Sequence, residues 1–188
     1  AQGMLHRLGR VLNVAAYPST AETILPEILA DFMRSDPDIK VNVRVGSQDD
    51  LIRWLTDGNV DFGFGGHLQL PGCGWMPLLE DPELAVLPED FPTRGMRAFP
   101  MEEFHRHPFA MPVYWNEEAA LVEQLEHYEI EPQFAVDFGD NAPIIAMVEQ
   151  GLALTALPEL TLHSYRYRIK TLPLEPPCTR LIGVSYRQ

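Results

Sequence analysis

Residues 9–66 have the sequence GRVLNVAAYPSTAETILPEILADFMRSDPDIKVNVRVGSQDDLIRWLTDGNVDFGFGG. The short apolar runs LNVAA, IKVNVRV and VDFGFG are typical of buried strands, and the two runs between them carry apolar residues at helical spacing. This β-α-β-α-β order predicts a parallel sheet. In open α/β sheets ligands bind beyond the carboxyl ends of the strands, so the turns after these three strands are the first candidate binding site.

The predicted strands of this stretch are 10–16, 40–45 and 60–64. Ser19 or Thr20 is predicted to cap the first helix, which runs without a break to about Arg34. The second helix begins at the acidic pair after the second strand and ends at Gly58. The segment LQLPGCG, residues 68–74, is predicted to be a loop.

The same alternation of strands and helices repeats further along the chain. It predicts strands at 109–113, 133–138 and 152–156 and helices at 116–127 and 142–150, followed by strand-like runs at 169–174 and 180–186. Two such units predict an α/β fold of two Rossmann-like lobes, joined by two crossover strands and enclosing a ligand cleft. Lobe I is predicted to comprise residues 10–80 and 179–188, and lobe II residues 81–178.

The charge of the chain excludes two classes of partner. The 188 residues include 27 acids and 14 Lys or Arg residues, which gives a formal net charge of −13. Phosphate backbones and anionic membranes repel such a chain, so we expect neither nucleic acid nor a membrane to bind it directly. The sequence also contains no apolar run of membrane-spanning length.

The chain lacks the usual signatures of catalysis and metal binding. It contains no GxSxG, no GxxxxGK[ST] and no HExxH. His105 and His107 form an HxH pair, but no further Cys or His lies nearby to complete a zinc site. Cys73 and Cys178 have no CxxC partner, which favours reduced thiols in a cytosolic protein, the alternative being one disulfide in a periplasmic protein. We therefore expect no enzyme activity, metal or cofactor.

Three stretches together resemble the effector-binding domain of LysR-type transcriptional regulators, a family with the type-2 periplasmic-binding-protein fold. They are ILPEILADFMRSDPDIKVNVRVG, LLEDPELAVLPEDFP and MVEQGLALTALPE. The resemblance implies a winged helix-turn-helix DNA-binding domain upstream, with residues 1–9 as the linker to it. It also implies a cytoplasmic homodimer or homotetramer that responds to a small-molecule effector and contacts DNA only through that upstream domain.

The turns after the first two strands supply four candidate effector-binding residues. The hydroxyls of Ser19 and Thr20, with the N–H groups of a first helical turn, can bind a carboxylate. Ser47 and Gln48 follow the second strand, and the resemblance implies an effector-contacting hydroxyl at Ser47. For all four the alternative is helix capping, at Ser47 as a cap before Asp49.

The turn after the third strand supplies three more candidates, Gly65, Gly66 and His67. The glycines can let a ligand approach the main chain, the alternative being plain turn glycines with permissive backbone angles. The DFGFG run resembles the branch of the family that senses muconate-like intermediates of aromatic degradation, which carries an arginine at the position of Gly66. His67 is therefore the predicted substitute for that positive charge, the alternative being a solvated or packed histidine.

The predicted lobe II contributes five candidates. Val113 ends a predicted strand and Tyr114 and Trp115 follow it, and the two aromatic rings can stack on an apolar or aromatic ligand or pack in the core. Asp140 and Asn141 follow the next strand, where one of them is expected to cap a helix and the other can bind a ligand.

Two further functions fit the same fold. A periplasmic solute-binding protein of a transporter for a small organic acid or amino acid is the main alternative to a sensor of an organic acid or aromatic molecule. An enzyme is the other, with only His67 and Asp140 as titratable groups for the cleft. The apolar helix faces at 24–33 and 121–125 are predicted to lie in a subunit interface or in the core of the domain.

Overall fold

The computed structural model describes residues 11–112, 120–138 and 140–188, and among these it leaves the side chains at 112 and 134–138 undescribed. The chain divides into two compact units. Unit 1 is Ala1–Leu79 with Leu181–Gln188, and unit 2 is Glu80–Arg180. The chain passes from one unit to the other twice, so each unit is described by itself below.

Strands and helices alternate along most of the chain. The strands are β1 (Val11–Ala16), β2 (Lys40–Val45), β3 (Phe62–Gly65), β4 (Cys73–Pro88), β5 (Phe99–Pro100), β6 (Pro108–Pro112), β7 (Gln133–Phe138), β8 (Thr155–Pro158), β9 (Ile169–Glu175) and β10 (Thr179–Arg187). The helices are α1 (Pro18–Glu22), α2 (Leu25–Ser35), α3 (Gln48–Thr56), α4 (Ala120–His127), α5 (Asn141–Glu149) and α6 (Glu159–Leu162), with a 3-10 helix at Met101–Arg106.

Unit 1 is built on the parallel strands predicted from residues 9–66. β1 pairs in parallel with β2 and with β3, and β10 pairs antiparallel with β3. Successive side chains of β1 point to opposite faces, so Val14 packs with Leu25 of α2 on one face and Ala15 packs with Leu51 of α3 on the other. Helices on both faces of the sheet leave the carboxyl ends of the strands as the polar edge of this unit.

The prediction of one helix from Ser19 or Thr20 to Arg34 is wrong. The structure has two helices, and the chain turns between them at Thr23. Pro26 lies in the first turn of α2, where its missing N–H costs nothing, whereas its ring would clash with the carbonyl of Glu22 in a continuous helix. Neither serine nor threonine is the N-cap, because Tyr17 holds that position and Pro18 begins α1.

Unit 2 has an aromatic core. β4 pairs antiparallel with β8 and β9, β5 pairs in parallel with β9, and β6 pairs in parallel with β7. The Phe104 ring lies 5.1 Å from that of Phe99 and 4.8 Å from that of Phe109, centroid to centroid. Leu121 and Leu125 of α4 are buried in the same cluster. The apolar face at 121–125 therefore belongs to the core of unit 2, and its assignment to a subunit interface is wrong.

The bounds of two other predicted elements differ from those in the structure. The predicted loop at 68–74 ends two residues early, because the 16-residue strand β4 begins at Cys73. The predicted strand at 152–156 is shifted to Thr155–Pro158, because its hydrogen-bonded partner is β4. Val113 and residues 116–119, predicted to continue β6 and to begin a helix, lie outside the described residues. No helix in the described part of the chain is long and apolar enough to cross a membrane.

Candidate functional site

Tyr17 joins the strand ends of unit 1. Its backbone N–H donates to the carbonyl of Phe64 at the end of β3, at 3.0 Å. Its phenol hydroxyl donates to Oε1 of Gln48 at the start of α3, also at 3.0 Å. The N–H of Gly46 after β2 donates to the carbonyl of Ala16 at 3.1 Å. The three turns predicted as a binding edge are thus held together at one end of the sheet.

Ser19 and Thr20 are buried in this edge. Thr20 is fully buried, and its hydroxyl lies 2.9 Å from the carbonyl oxygen of Tyr17 and 3.2 Å from that of Phe64. The hydroxyl has one proton to donate, and both acceptors belong to the main chain, so Thr20 fastens α1 to β3. Ser19 is 8% exposed. Effector contact by these two residues stays a prediction, and Ser19 is the more accessible of the two.

Ser47 is the N-cap of α3, as the alternative interpretation of this residue predicted. Its Oγ accepts from the N–H of Asp50 at 3.3 Å and donates to the Asp50 carboxylate at 2.9 Å, while the Ser47 N–H donates to the same oxygen at 3.1 Å. Hydrogen bonds from the backbone and then the side chain of Ser47 lower the pKa of Asp50 below its ordinary value. The Ser47 side chain remains exposed, so a ligand can still reach its oxygen.

The alternative interpretation of Gly65 and Gly66, as turn glycines with permissive backbone angles, is wrong, because neither has a positive φ. The reason for a glycine at 65 is steric. A Cβ atom there would lie 2.9 Å from the Tyr17 ring and 3.1 Å from Leu51. At Gly66 the nearest atom is the Tyr17 hydroxyl oxygen, at 3.4 Å. The glycines therefore let the tyrosine ring lie over the end of β3.

His67 lies next to these glycines and is exposed. Its ring packs on the indole of Trp75, with ring centroids 4.5 Å apart and planes inclined by 35°. Trp75 belongs to β4 and is half-buried. The structure thus gives His67 an aromatic partner that the sequence did not indicate.

The candidates in unit 2 are described only in part. Asp140 is the N-cap of α5, with Oδ1 3.5 Å from the N–H of Ala142, which confirms that one of the two polar residues caps this helix. Asn141 is the first residue of α5. Val113, Tyr114 and Trp115 lie outside the described residues. The structure therefore brings together the seven candidates of unit 1, and those of unit 2 stay predictions.

Sequence reasoning missed Tyr17 and Trp75. Tyr17 carried a usable signal, since a polar aromatic residue directly after a strand shares its turn with Ser19. For Trp75 the sequence contained no such signal, because Trp75 is eight positions away from His67. Its neighbours in the fold depend on the pairing of β10 with β3.

A second polar cluster lies buried in unit 2. The Asp81 carboxylate, fully buried, accepts from Arg180 at 2.7 and 2.8 Å and from the N–H of Leu160 at 3.0 Å. Glu83, two residues further along β4, is buried, and its Oε2 has no hydrogen-bond partner among the described residues. Its N–H donates to the carbonyl of Cys178 at 2.9 Å.

Burial dominates the acid–base properties of this cluster. Desolvation raises the pKa of Glu83 to about 8, with Arg180 acting against it and Asp81 adding to it. Desolvation, followed by the charges of Glu83 and Glu123, raises the pKa of the Cys178 thiol to about 12. Burial therefore favours the neutral form of both groups. The described residues hold no group of three or more His, Cys, Asp or Glu side chains placed to bind a metal ion.

A comparison with models of protein families identifies the family of this chain. The model of the LysR substrate binding domain matches residues 6–188, and the chain belongs to this family. It is an effector-binding domain of the LysR type, as the sequence resemblance predicted.

Individual relatives agree with that assignment. The chain is 24% identical over 156 residues to the transcriptional activator protein LysR of Escherichia coli K12, covering 82% of this chain and 50% of the relative. The chain thus spans about half the length of that protein. The LysR activator is a transcriptional regulator, and the matched family gives no support to a solute-binding protein of a transporter.

Solved structures show the fold. The effector binding domain of QuiR in complex with shikimate superimposes with a TM-score of 0.84 at 15% identity, covering 95% of this chain and 87% of that one. The BenM effector binding domain with its effector benzoate gives a TM-score of 0.84 at 14% identity, covering 95% of this chain and 84% of that one. The chain therefore has the type-2 periplasmic-binding-protein-like fold.

Proposed function

We propose that this chain senses a small organic molecule and transmits the signal to a DNA-binding domain upstream of it in the full protein. The convergence of the three strand-end turns on Tyr17 carries the proposal. It places the hydroxyl of Ser47, the amide of Gln48 and the imidazole of His67 at one edge of the unit 1 sheet. Ligands bind at this edge in open α/β sheets.

The chemistry of this edge suits an organic acid or an aromatic molecule. The hydroxyl and amide groups can donate to a carboxylate, and Tyr17 and His67 offer apolar ring surface. From unit 2, Tyr114, Trp115 and Asn141 are proposed to complete the effector contacts. Two related domains bind ligands of this kind, shikimate in QuiR and benzoate in BenM, which supports the proposal.

The effector is proposed to act by shifting a conformational equilibrium. A ligand changes the populations of two states only by its difference in affinity for them. The net charge of −13 disfavours direct contact of this chain with DNA, so the upstream domain is proposed to supply DNA binding in a cytoplasmic regulator. A homodimer or homotetramer is proposed through α2 and β2, where Met33 is 50%, Val43 41% and Val45 52% exposed.

A thermal-shift panel tests effector binding. The purified chain is heated with benzoate, shikimate, other small carboxylates and uncharged analogues, one at a time. A ligand at 100-fold over its Kd should raise the free energy of unfolding by about 2.7 kcal/mol, which is visible as a higher Tm. If no compound raises the Tm, the proposal of a small-acid sensor fails.

Serine variants then locate the site. Ser19→Ala should lower the affinity for the ligand found in the panel, because it removes a hydroxyl at the carboxyl-terminal edge of the unit 1 sheet. Ser164→Ala, at an exposed position in unit 2 that is no candidate, is the matched control and should leave the affinity unchanged. Equal affinities of the wild type and Ser19→Ala, measured by calorimetry, would remove Ser19 from the site.

A further inference from the structure

Two aromatic rings lie side by side on one face of the unit 1 sheet. Gly65 of β3 and Gly183 of β10 are paired in register, so Cβ atoms at these positions would point to the same face, about 5 Å apart. The Cβ at Gly65 would lie 2.9 Å from the Tyr17 ring. The Cβ at Gly183 would lie 2.7 Å from the Trp75 ring. The paired glycines thus make room for two neighbouring rings at the carboxyl end of β3.

His67 extends this aromatic row to the surface. Its ring packs on Trp75 at 4.5 Å, and its side chain is exposed whereas Trp75 is half-buried. An exposed side chain changes rotamer readily, so His67 is the part of the row that an entering molecule can displace. Tyr17, Trp75 and His67 are called the aromatic wall below.

The indole N–H of Trp75 lacks an acceptor. Nε1 is buried and has no hydrogen-bond partner among the described residues. An indole nitrogen can only donate, and a buried donor without an acceptor costs free energy that a ligand oxygen would recover. Buried polar groups normally find a partner in protein, water or ligand. The wall therefore offers a hydrogen bond next to a flat apolar surface.

The charges around the wall limit the number of negative charges that the ligand can carry. The turn segments 17–20, 46–50 and 64–67 contain no Lys or Arg, so His67 is their one group that can become a cation. The same segments contain Asp49 and Asp50. A single negative charge can be balanced by a protonated imidazole, whereas a second would have no cation within these segments.

We propose that Trp75 contacts the effector, with its indole N–H donating to a carboxylate oxygen, and that the aromatic wall selects a flat, unsaturated monocarboxylate. His67 moves off the indole as the ligand enters and then pairs with the carboxylate. This inference rests on the proposed function, because it names the ligand class of the same site. The inference adds Trp75, a residue of strand β4, to the effector contacts proposed at the turns.

The hydrogen bond can be observed directly on nitrogen-15-labelled protein. The chain has three tryptophans and so at most three indole N–H signals, and Trp75→Phe assigns the one from Trp75. Benzoate is the probe, and cyclohexanecarboxylate, with the same charge and a puckered ring, is its matched control. Benzoate should move the Trp75 indole proton downfield in a saturable way, and cyclohexanecarboxylate should bind more weakly.

Affinity measurements complete the test. Trp75→Phe keeps an aromatic ring but loses the N–H, so benzoate should bind about 10-fold more weakly, as expected for a lost bond to a charged acceptor. Trp54→Phe, on α3, is the control and should leave the affinity unchanged. His67→Gln should weaken binding, because it removes the imidazole that is proposed to pair with the carboxylate. If Trp75→Phe does not fold, Trp54→Phe and Trp115→Phe assign the signals instead.

The possible failures are distinguishable. If benzoate binds by calorimetry and the Trp75 signal stays in place, the contact to Trp75 is wrong while the proposed function stands. If neither benzoate nor another flat, unsaturated monocarboxylate of the panel binds but a different compound does, the ligand class is wrong. If no compound of the panel raises the Tm, the proposed function fails and this inference fails with it.

Discussion

The strand-end turns of unit 1 and the buried acids of β4 in unit 2 use polar side chains in opposite ways. At the turns, the Ser47 side chain is exposed and bonds within its own turn. In unit 2, Asp81 is buried and joins distant parts of the chain, through Leu160 and Arg180. Polarity alone therefore does not mark a binding site. Substitutions at the turns should change ligand binding, whereas those in unit 2 should change stability.

Asp81→Ala should have the largest effect on stability. The change leaves the half-buried guanidinium of Arg180 without this carboxylate and the N–H of Leu160 without its acceptor. Breaking a buried pair on one side costs about 3–5 kcal/mol, so the urea midpoint should fall sharply. Asp90→Ala, at an exposed acid of the same unit, is the control and should stay within about 0.5 kcal/mol of the wild type. Similar midpoints for the two variants would show that the buried pair contributes little.

Glu83→Gln should change how stability depends on pH. The ordinary pKa of 4.5 applies in the unfolded chain and burial raises it to about 8 in the fold, so the folded state binds the proton more tightly. The stability that this proton gives is complete below pH 4.5 and is lost as the pH rises to about 8. The loss should be about 1.4 kcal/mol per pH unit over that window.

The difference between wild type and Glu83→Gln isolates this effect from other titrating groups. Urea unfolding at pH 5, 6, 7 and 8 should show the wild type losing stability relative to the variant at each step. Glu89→Gln, at an exposed position near the end of the same strand, should follow the wild type. Parallel pH profiles for wild type and Glu83→Gln would mean that Glu83 is solvated or paired.

Ser47→Ala should have a smaller effect on stability, because the capping box is exposed. Loss of an N-cap serine costs about 1 kcal/mol. The bonds from Ser47 lower the pKa of Asp50, so their contribution is present above the ordinary value of 3.8 and is lost as the pH falls through the lowered one. The variant keeps the backbone N–H bond to Asp50, so only the side-chain part is lost, and the difference between the two proteins should become smaller in acid. Ser164→Ala is again the control, and a constant difference down to the acid limit would contradict the role of Asp50.

The two regions also differ in how well the sequence predicted them. The positions of the turns could be predicted, because apolar periodicity and capping residues such as Ser47 locate strand ends and helix starts. Pro26 also signals the break in the first helix, but the apolar spacing continues across it and favours a single helix. The burial of Glu83 could not be predicted from local pattern, because the pairing of β4 with β8 and the neighbouring Cys178 backbone create it. The Trp75 indole over Gly183 likewise depends on non-local strand pairing.

Tyr17→Phe should have a small effect on stability, and it tests whether the turns serve binding rather than folding. The ring keeps its place over Gly65, while the bond from its hydroxyl to Gln48 is lost. A neutral, half-buried hydrogen bond contributes about 0.5–1.5 kcal/mol, so the Tm should fall by a few degrees at most. The Gln48 amide would lose one of the bonds that orient it at the strand ends, and the affinity for the effector found in the panel should fall more than the stability does. Tyr128→Phe, at an exposed position in unit 2, is the matched control. A Tyr17→Phe variant that binds as tightly as the wild type would show that this bond only fastens the turns together, as Thr20 does.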